Sequence, residues 1–347
     1  MSSLIPESTN RASKSLILIA AFIIIIAGMK AAESIVIPFL LAAFISIVSL
    51  PPFLWLEKKR VPKFLAIIIV ILAFLIFISS IGFLIGSSIN SFTDRIPYYQ
   101  SLIKIQIDNV TGILQSMGFT ISEVKIEEYF NPGSALTLVA GVLNELSNLF
   151  TNGFLIFLTV VFMMLEVSSL PSKINRIVSD PKESMKRVQS VTDNINKYIT
   201  IKTWISLITG LFATILLYVI GVDYPILWGV LAFLLNYIPT IGSIIALIPP
   251  SLLAFIQFGI GDTIFVVAGY LVINTVMGNI LEPKFMGEGL GLSALVVFLS
   301  LIFWGWVLGP MGMLLSVPLT ITIKIALDSS EETRWIAVLL GGPSSPE

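Results

Sequence analysis

The chain has 347 residues, 56% of them apolar and 12% charged, with a net charge of −1 and a mean hydropathy of +0.97. A soluble domain carries about 25% charged residues, so this is the composition of an integral membrane protein, and its balanced charge offers nothing to nucleic acid. With no cysteine and no histidine, thiolate chemistry, His-ligated zinc, serine–histidine triads and histidine proton relays are excluded; no catalytic residue, metal site or cofactor is expected.

Residues 1–93 read as three N-terminal spans. Polar residues 1–14, with Arg11 and Lys14, precede the apolar run Leu16–Met29. A signal-peptide cut after Ala32 would place Lys30 where a small residue is required, so this run is an uncleaved first helix. Lys30 and Glu33 mark a tight turn before the second span, Ser34–Leu56, which contains Pro38, Pro51 and Pro52. The loop Glu57–Lys63 has four basic residues in seven, and Phe64–Thr93 is a third span without charge.

Residues 94–146 hold three basic and six acidic residues, too polar to span a bilayer. After Pro97, apolar Tyr99, Ile103, Ile107, Val110, Leu114 and Met117 recur at steps of three and four, one stripe on a helix. Asn131-Pro132-Gly133 then breaks the chain. The segment is predicted as an extracytoplasmic arm of two amphipathic helices. Its stripe either covers its own subunit, lies in the interface, or meets neighbouring subunits. Residues 147–165 form the fourth span. The insert 166–203 carries seven basic and four acidic residues. Asp180-Pro181 reads as an N-cap and first helical residue, and Met185, Val188, Val191, Ile195, Tyr198 and Ile199 form a stripe leading to the span Trp204–Ile220.

The positive-inside rule places 57–63 and 166–203 in the cytoplasm, in agreement with Arg11 and Lys14. An even number of spans returns Lys324, Arg334 and the tail 327–347 there, so both termini are expected inside.

The C-terminal core, residues 204–326, holds irregular helices. No charge occurs in Thr263–Leu281, in the 38 residues Tyr224–Gly261 or in the 35 residues Gly289–Ile323, lengths that suit a bilayer. The Tyr224 run is interrupted at Asn236-Tyr237-Ile238-Pro239-Thr240-Ile241-Gly242-Ser243 and again at Pro249-Pro250. The Gly289 run is interrupted at Gly305, at Gly309-Pro310-Met311-Gly312 and at Pro318. Each is one long broken helix or a pair of shorter or re-entrant ones, the difference between eight and ten membrane segments. The two regions echo each other, each an apolar helix, a Pro/Gly break and a second apolar helix with a further proline. Such breaks leave carbonyls and amides without partners, which hydrocarbon tolerates only beside protein or a wet cavity. Paired Gly/Pro-interrupted segments point to a transporter's binding site; the competing reading is that the prolines only kink helices for packing.

Between the uncharged runs lies Asn279-Ile280-Leu281-Glu282-Pro283-Lys284-Phe285-Met286-Gly287. Glu282 and Lys284 form a surface turn there or gate a cavity, with Glu282 as a titratable carboxylate. Asn236, Asn274 and Asn279 tie helices together or line a polar path. Gly259-Ile260-Gly261-Asp262 matches the GxGD of intramembrane aspartyl proteases, with Asp223 as a second carboxylate. Both aspartates fall at helix boundaries, where they serve as N-caps, and a protease is not the reading adopted. Gly82–Gly86 and Gly305–Gly309 are GxxxG matches that would permit close packing.

Leu281-Glu282-Pro283-Lys284-Phe285-Met286-Gly287, then Gly289-Leu290-Gly291-Leu292, then Gly309-Pro310-Met311-Gly312 through Pro318-Leu319 resemble the AI-2E family of bacterial membrane transporters. Asn236-Tyr237-Ile238-Pro239-Thr240-Ile241-Gly242 is similar to its asparagine–proline segment. Ser293 stands where many relatives carry histidine. The resemblance implies an all-α polytopic inner-membrane protein of about eight segments, some broken or re-entrant, assembled as a homo-oligomer of five subunits. It implies export of autoinducer-2 or Na⁺(Li⁺)/H⁺ antiport. The poverty of carboxylates within the spans favours a small polar solute over a monovalent cation. The expected solute path comprises Asn236, Pro239, Gly242, Ser243, Asn274, Asn279, Glu282, Pro283, Lys284, Gly309, Pro310, Gly312 and Pro318, worked by alternating access. A membrane scaffold or permeability factor, whose arm and linker recruit partners, is the alternative from another class.

Overall fold

The computed structural model describes residues 7–117, 141, 153–167, 181–286, 292–328 and 331–342, and every element among them is helical. The N-terminal helices are α1 (Glu7–Ala31), α2 (Glu33–Lys58), α3 (Lys63–Asp94), the arm helix α4 (Ile96–Ser116) and α5 (Gly153–Val167). They are followed by α6 (Pro181–Ile220), α7 (Pro225–Leu235), α8 (Ile241–Phe258) and α9 (Ile260–Asn274). A π-helix (Thr275–Leu281), α10 (Glu282–Met286), α11 (Ala294–Asp328) and α12 (Arg334–Leu340) complete the chain. Among the described residues, six helices are long and apolar enough to cross a membrane, and three shorter ones are apolar. This is a polytopic all-α membrane protein. Asp180, the Asn131–Gly133 break, the second arm helix and all of Gly287–Gly291 lie outside the described residues.

Residues 181–203 of the insert and the span after them share one helix, because nothing between Pro181 and Gly210 interrupts it. Helix α6 runs 40 residues and ends at Gly221, whose φ of 91° suits a residue without Cβ. There the N–H groups of Gly221 and Val222 both donate to the Leu217 carbonyl, closing the helix end. Helix α4 confirms the stripe over its first half. Tyr99, Ile103 and Ile107 are buried in the largest apolar cluster, with Phe92, Leu217, Trp228, Leu253 and Tyr270. This first helix of the arm packs on its own subunit.

Both irregular regions fold back on themselves. Helix α7 lies antiparallel to α6: Gly229 abuts Gly210 and Thr214, Asn236 Nδ2 donates to Ser206 Oγ at 2.9 Å, and Tyr237 and Thr203 hydroxyls meet at 2.6 Å. At the turn Pro239 has no N–H to continue the helix, and Thr240 takes φ 61°. Helix α8 then returns, so that Gln257 Oε1 accepts from the Asp223 amide at 3.1 Å. The first hairpin therefore has its base at the Asp223 end and its apex beside Thr203 and Ser206. In α11 the break comes at Leu308 (φ −125°, ψ 16°) and Gly309 (φ 61°, ψ −153°). Trp304 Nε1 donates to Thr320 Oγ1 at 3.1 Å, although sixteen helical residues would span ~24 Å. The base of this second hairpin is tied where Ser293 N–H donates to Leu340 O. Its apex reaches the α1–α2 turn, where Lys30 Nζ lies 4.0 Å over the Trp306 ring. The two hairpins enter from opposite ends of the bundle.

Three sequence expectations need correction. Pro249-Pro250, Gly305 and Pro318 do not interrupt their helices; the prolines are accommodated inside α8 and α11, because losing one ladder bond is cheaper than breaking a packed helix. Asp223 and Asp262 are not N-caps: the cap positions are Tyr224 and Gly259, neither with a side-chain cap bond. Neither GxxxG pair packs against another helix of this chain through both its glycines, since a Cβ on Gly86 or Gly309 would meet nothing within 4 Å; Gly305 makes room for Met313 on the returning limb of its own hairpin. Close helix approach is made instead by Gly210 against Gly229, where a Cβ on Gly210 would lie 2.6 Å from the Gly229 carbonyl oxygen.

Each hairpin turn has one glycine that admits no side chain. A Cβ on Gly242 would overlap the Leu235 carbonyl, and one on Gly312 the Trp304 carbonyl. Gly242→Ala and Gly312→Ala are each expected to cost about 1–3 kcal/mol by overpacking, read as a fall in melting temperature of the purified protein. Gly86→Ala, facing open space, should leave the melting temperature unchanged or raise it.

Candidate functional site

Along α6, Tyr198, Lys202 and Ser206 are spaced by four and so share one face. Lys202 is the only charge between Lys197 and Asp223, and its side chain is 3% exposed. It donates to both oxygens of Glu282, at 2.6 and 2.8 Å. Glu282 is delivered by the π-helix, a form whose wide turn is uncommon and recurs at functional sites. One residue along α6, Thr203 meets Tyr237, and one turn on, Ser206 meets Asn236. Between Lys202 and Ser206, α6 therefore touches both the apex of the first hairpin and the glutamate of the Glu282-Pro283-Lys284 motif. One turn earlier Ile195, Tyr198 and Ile199 pack on Val317 and Ile321 of the second hairpin. The Tyr198 hydroxyl is buried with no hydrogen-bond partner among the described residues.

The expected path residues divide accordingly. Asn236 and Glu282 converge on α6, and Pro239 and Gly242 shape the apex beside them. Ser243 Oγ donates to the Thr240 carbonyl, a local turn bond. Asn274 is half-buried, while Asn279, Pro283 and Lys284 are exposed and stand outside the cluster. Gly309, Pro310, Gly312 and Pro318 belong to the second hairpin, with Pro310 exposed at its apex and Pro318 buried. Lys202 was not among the residues singled out from sequence; its solitude in an otherwise uncharged stretch was the available signal. Removing either member of a buried pair strands a charge, whereas removing both does not.

A second polar knot lies at the base of the first hairpin. Asp223 Oδ2 accepts from Arg95 Nη1 at 3.1 Å and from Tyr99 OH at 2.7 Å, and the Asp223 carbonyl accepts from Trp228 Nε1 at 2.9 Å. Burial, and after it the bond to Asp223, push the Tyr99 phenol above its ordinary value, so it remains a protonated donor at physiological pH. The carboxylate is thereby committed to fastening the arm, which removes it from any acid–base dyad with Asp262. A groove of about 370 Å³ lined by Phe255, Ile260, Thr263, Ile264, Val267, Ala268 and Leu271 lies on α8 and α9, away from Lys202.

The fold places this chain in the class of polytopic all-α membrane proteins with broken helices, a feature that recurs in secondary transporters. The profile of the AI-2E family transporters matches residues 19–332. The AI-2 transport protein TqsA of Escherichia coli (strain K12) is 43% identical over 335 residues, covering 96% of this chain and 97% of that protein. A Haemophilus influenzae protein is 45% identical over 335 residues, 94% of this chain and 96% of its own length. YhhT of Escherichia coli (strain K12) is 34% identical over 342 residues, 99% of this chain and 98% of its own; these last two carry only provisional transport names. The chain belongs to the AI-2E family, a family of membrane transporters and not of enzymes.

The pair makes a double-mutant prediction. Lys202→Met or Glu282→Gln alone should lower stability by about 3 kcal/mol or more. The double variant Lys202→Met/Glu282→Gln should recover most of that loss. Thermal unfolding of all four proteins in one detergent measures the coupling.

Proposed function

We propose that this transporter moves a small polar solute across a bacterial inner membrane by alternating access, exporting autoinducer-2 or a solute of its size and hydroxyl content. The reading rests chiefly on the convergence at α6, where two hairpins from opposite ends reach successive turns of one helix. Helices α4, α7, α8 and α9 share the largest apolar cluster with one flank of α6. The second hairpin packs instead with α1 and α2 and with the other stretch of α6. Movement of one group against the other would open the Lys202–Ser206 turn to one end and then the other. The name of TqsA supports autoinducer-2 as the first solute to try. Neutral hydroxyls and an amide at Thr203, Ser206, Tyr237 and Asn236 suit such a molecule better than a metal ion. The cation-antiport reading finds no support here, because the glutamate it would use is already neutralised by Lys202.

The basic 57–63 loop and both termini belong in the cytoplasm on this proposal, by the positive-inside rule, and the family resemblance extends it to a homo-oligomer of five subunits. Uptake into proteoliposomes, run against a panel of autoinducer-2-like solutes and monovalent cations, is the test. Asn236→Ala and Glu282→Gln should each cut solute flux at least about tenfold, a loss of transition-state stabilisation of roughly 1.4 kcal/mol, while the protein still reconstitutes. Flux unaffected by both changes, with partner binding lost when the arm is removed, would favour a scaffold instead.

A further inference from the structure

We propose that the loop joining α2 to α3 is a binding site for the phosphodiester of an anionic phospholipid. It carries Lys58, Lys59, Arg60 and Lys63 against the single carboxylate Glu57. That carboxylate is engaged by Lys63 at 3.5 Å, so three cations of the loop face no acidic partner among the described residues. All four basic residues are exposed. Lys59 Nζ sits 3.9 Å over the ring of Trp55, whose indole is 56% exposed, the arrangement of an aromatic side chain at a membrane–water boundary.

The loop's backbone supplies an independent observation. Lys59 N–H donates to Trp55 O, Arg60 N–H to Glu57 O and Val61 N–H to Leu56 O, the bonding of a helix end that calls for a left-handed residue. Arg60 occupies that position at φ 65°, where glycine is unstrained and a side chain is disfavoured. An arginine is thus held at a site where the fold alone would prefer glycine. Its fork of donors matches a phosphate in two bonds at once. Immediately beside the cations, Leu54, Phe64 and Leu65 expose apolar surface along which acyl chains lie. The cations alone would suit any phosphate; cations bordered by that apolar surface suit a lipid.

The test uses the full chain purified in detergent and titrated with dioleoylphosphatidylglycerol or dioleoylphosphatidylcholine, with bound lipids counted by native mass spectrometry. The wild type is expected to prefer the anionic lipid. A cation near an anionic headgroup is worth about fivefold in affinity, so Arg60→Gly should lower the preference about fivefold. Because that change also relieves the left-handed strain, its melting temperature in phosphatidylcholine should be unchanged or higher. Lys58→Gln/Lys59→Gln/Arg60→Gly should reduce the preference by about a hundredfold. An unchanged preference in both variants overturns the proposal. So does displacement of the lipid by inorganic phosphate at equal concentration, which would mark a free-anion site.

Discussion

A helix that stops inside hydrocarbon exposes main-chain polar groups that lipid cannot satisfy, and this constraint governs where the rest of the chain must go. The two interruptions, at Asn236–Thr240 and Leu308–Gly309, each lie against protein on one side, with Thr240 and Pro310 exposed at the turns themselves. Beside the first stand the hydroxyls of Thr203 and Ser206 on α6. The second is closed by the return of its own limb, with Trp304 bonded to Thr320, and by α1 and α2 around it. Helix α6 can serve the first apex because Gly210 and Gly229 let α7 approach it at backbone distance. A larger residue at either position would hold the apex away from its partners.

Charge follows the same economy. Lys202 would be costly alone in a buried setting, and Glu282 would be nearly so; each makes the other tolerable. The pair therefore couples α6 to the end of the π-helix, and with it couples the Glu282-Pro283-Lys284 segment to the helix that holds the first hairpin. Asp223 plays the corresponding part at the other end, tying the arm through Arg95 and Tyr99 to the turn between α6 and α7. Each polar knot thus joins elements that lie far apart in sequence, one at each end of the same hairpin.

The places where helices break were legible because the cause is local: a proline without an N–H and a glycine free to adopt positive φ. The periodicity of Tyr99, Ile103 and Ile107 gave the buried face of α4 for the same reason. What the broken pieces do next was not legible, since returning to the starting end depends on Gly242 and Gly312 clearing carbonyls seven or eight residues earlier, a matter of three-dimensional fit. Pro249, Pro250 and Pro318 carry the same local signal as Pro239 and yet stay helical, because packing around α8 and α11 outweighs the lost bond. The π-helix leaves no mark in an apolar run, and the partner of Lys202 lies eighty residues away. A lone lysine in an otherwise uncharged stretch was visible; the glutamate that explains it was not.

The claim on which this account stands is that Pro225–Phe258 returns to the end from which it started. The chain has no cysteine, so single cysteines at Tyr98, Gly261, Lys59 and Glu331 can be labelled with a membrane-impermeant maleimide in sealed vesicles of each orientation. The account predicts that positions 98 and 261 react from one side and positions 59 and 331 from the other. Reaction of position 261 from the same side as position 59 would show a single continuous span through Asn236–Thr240 and contradict it.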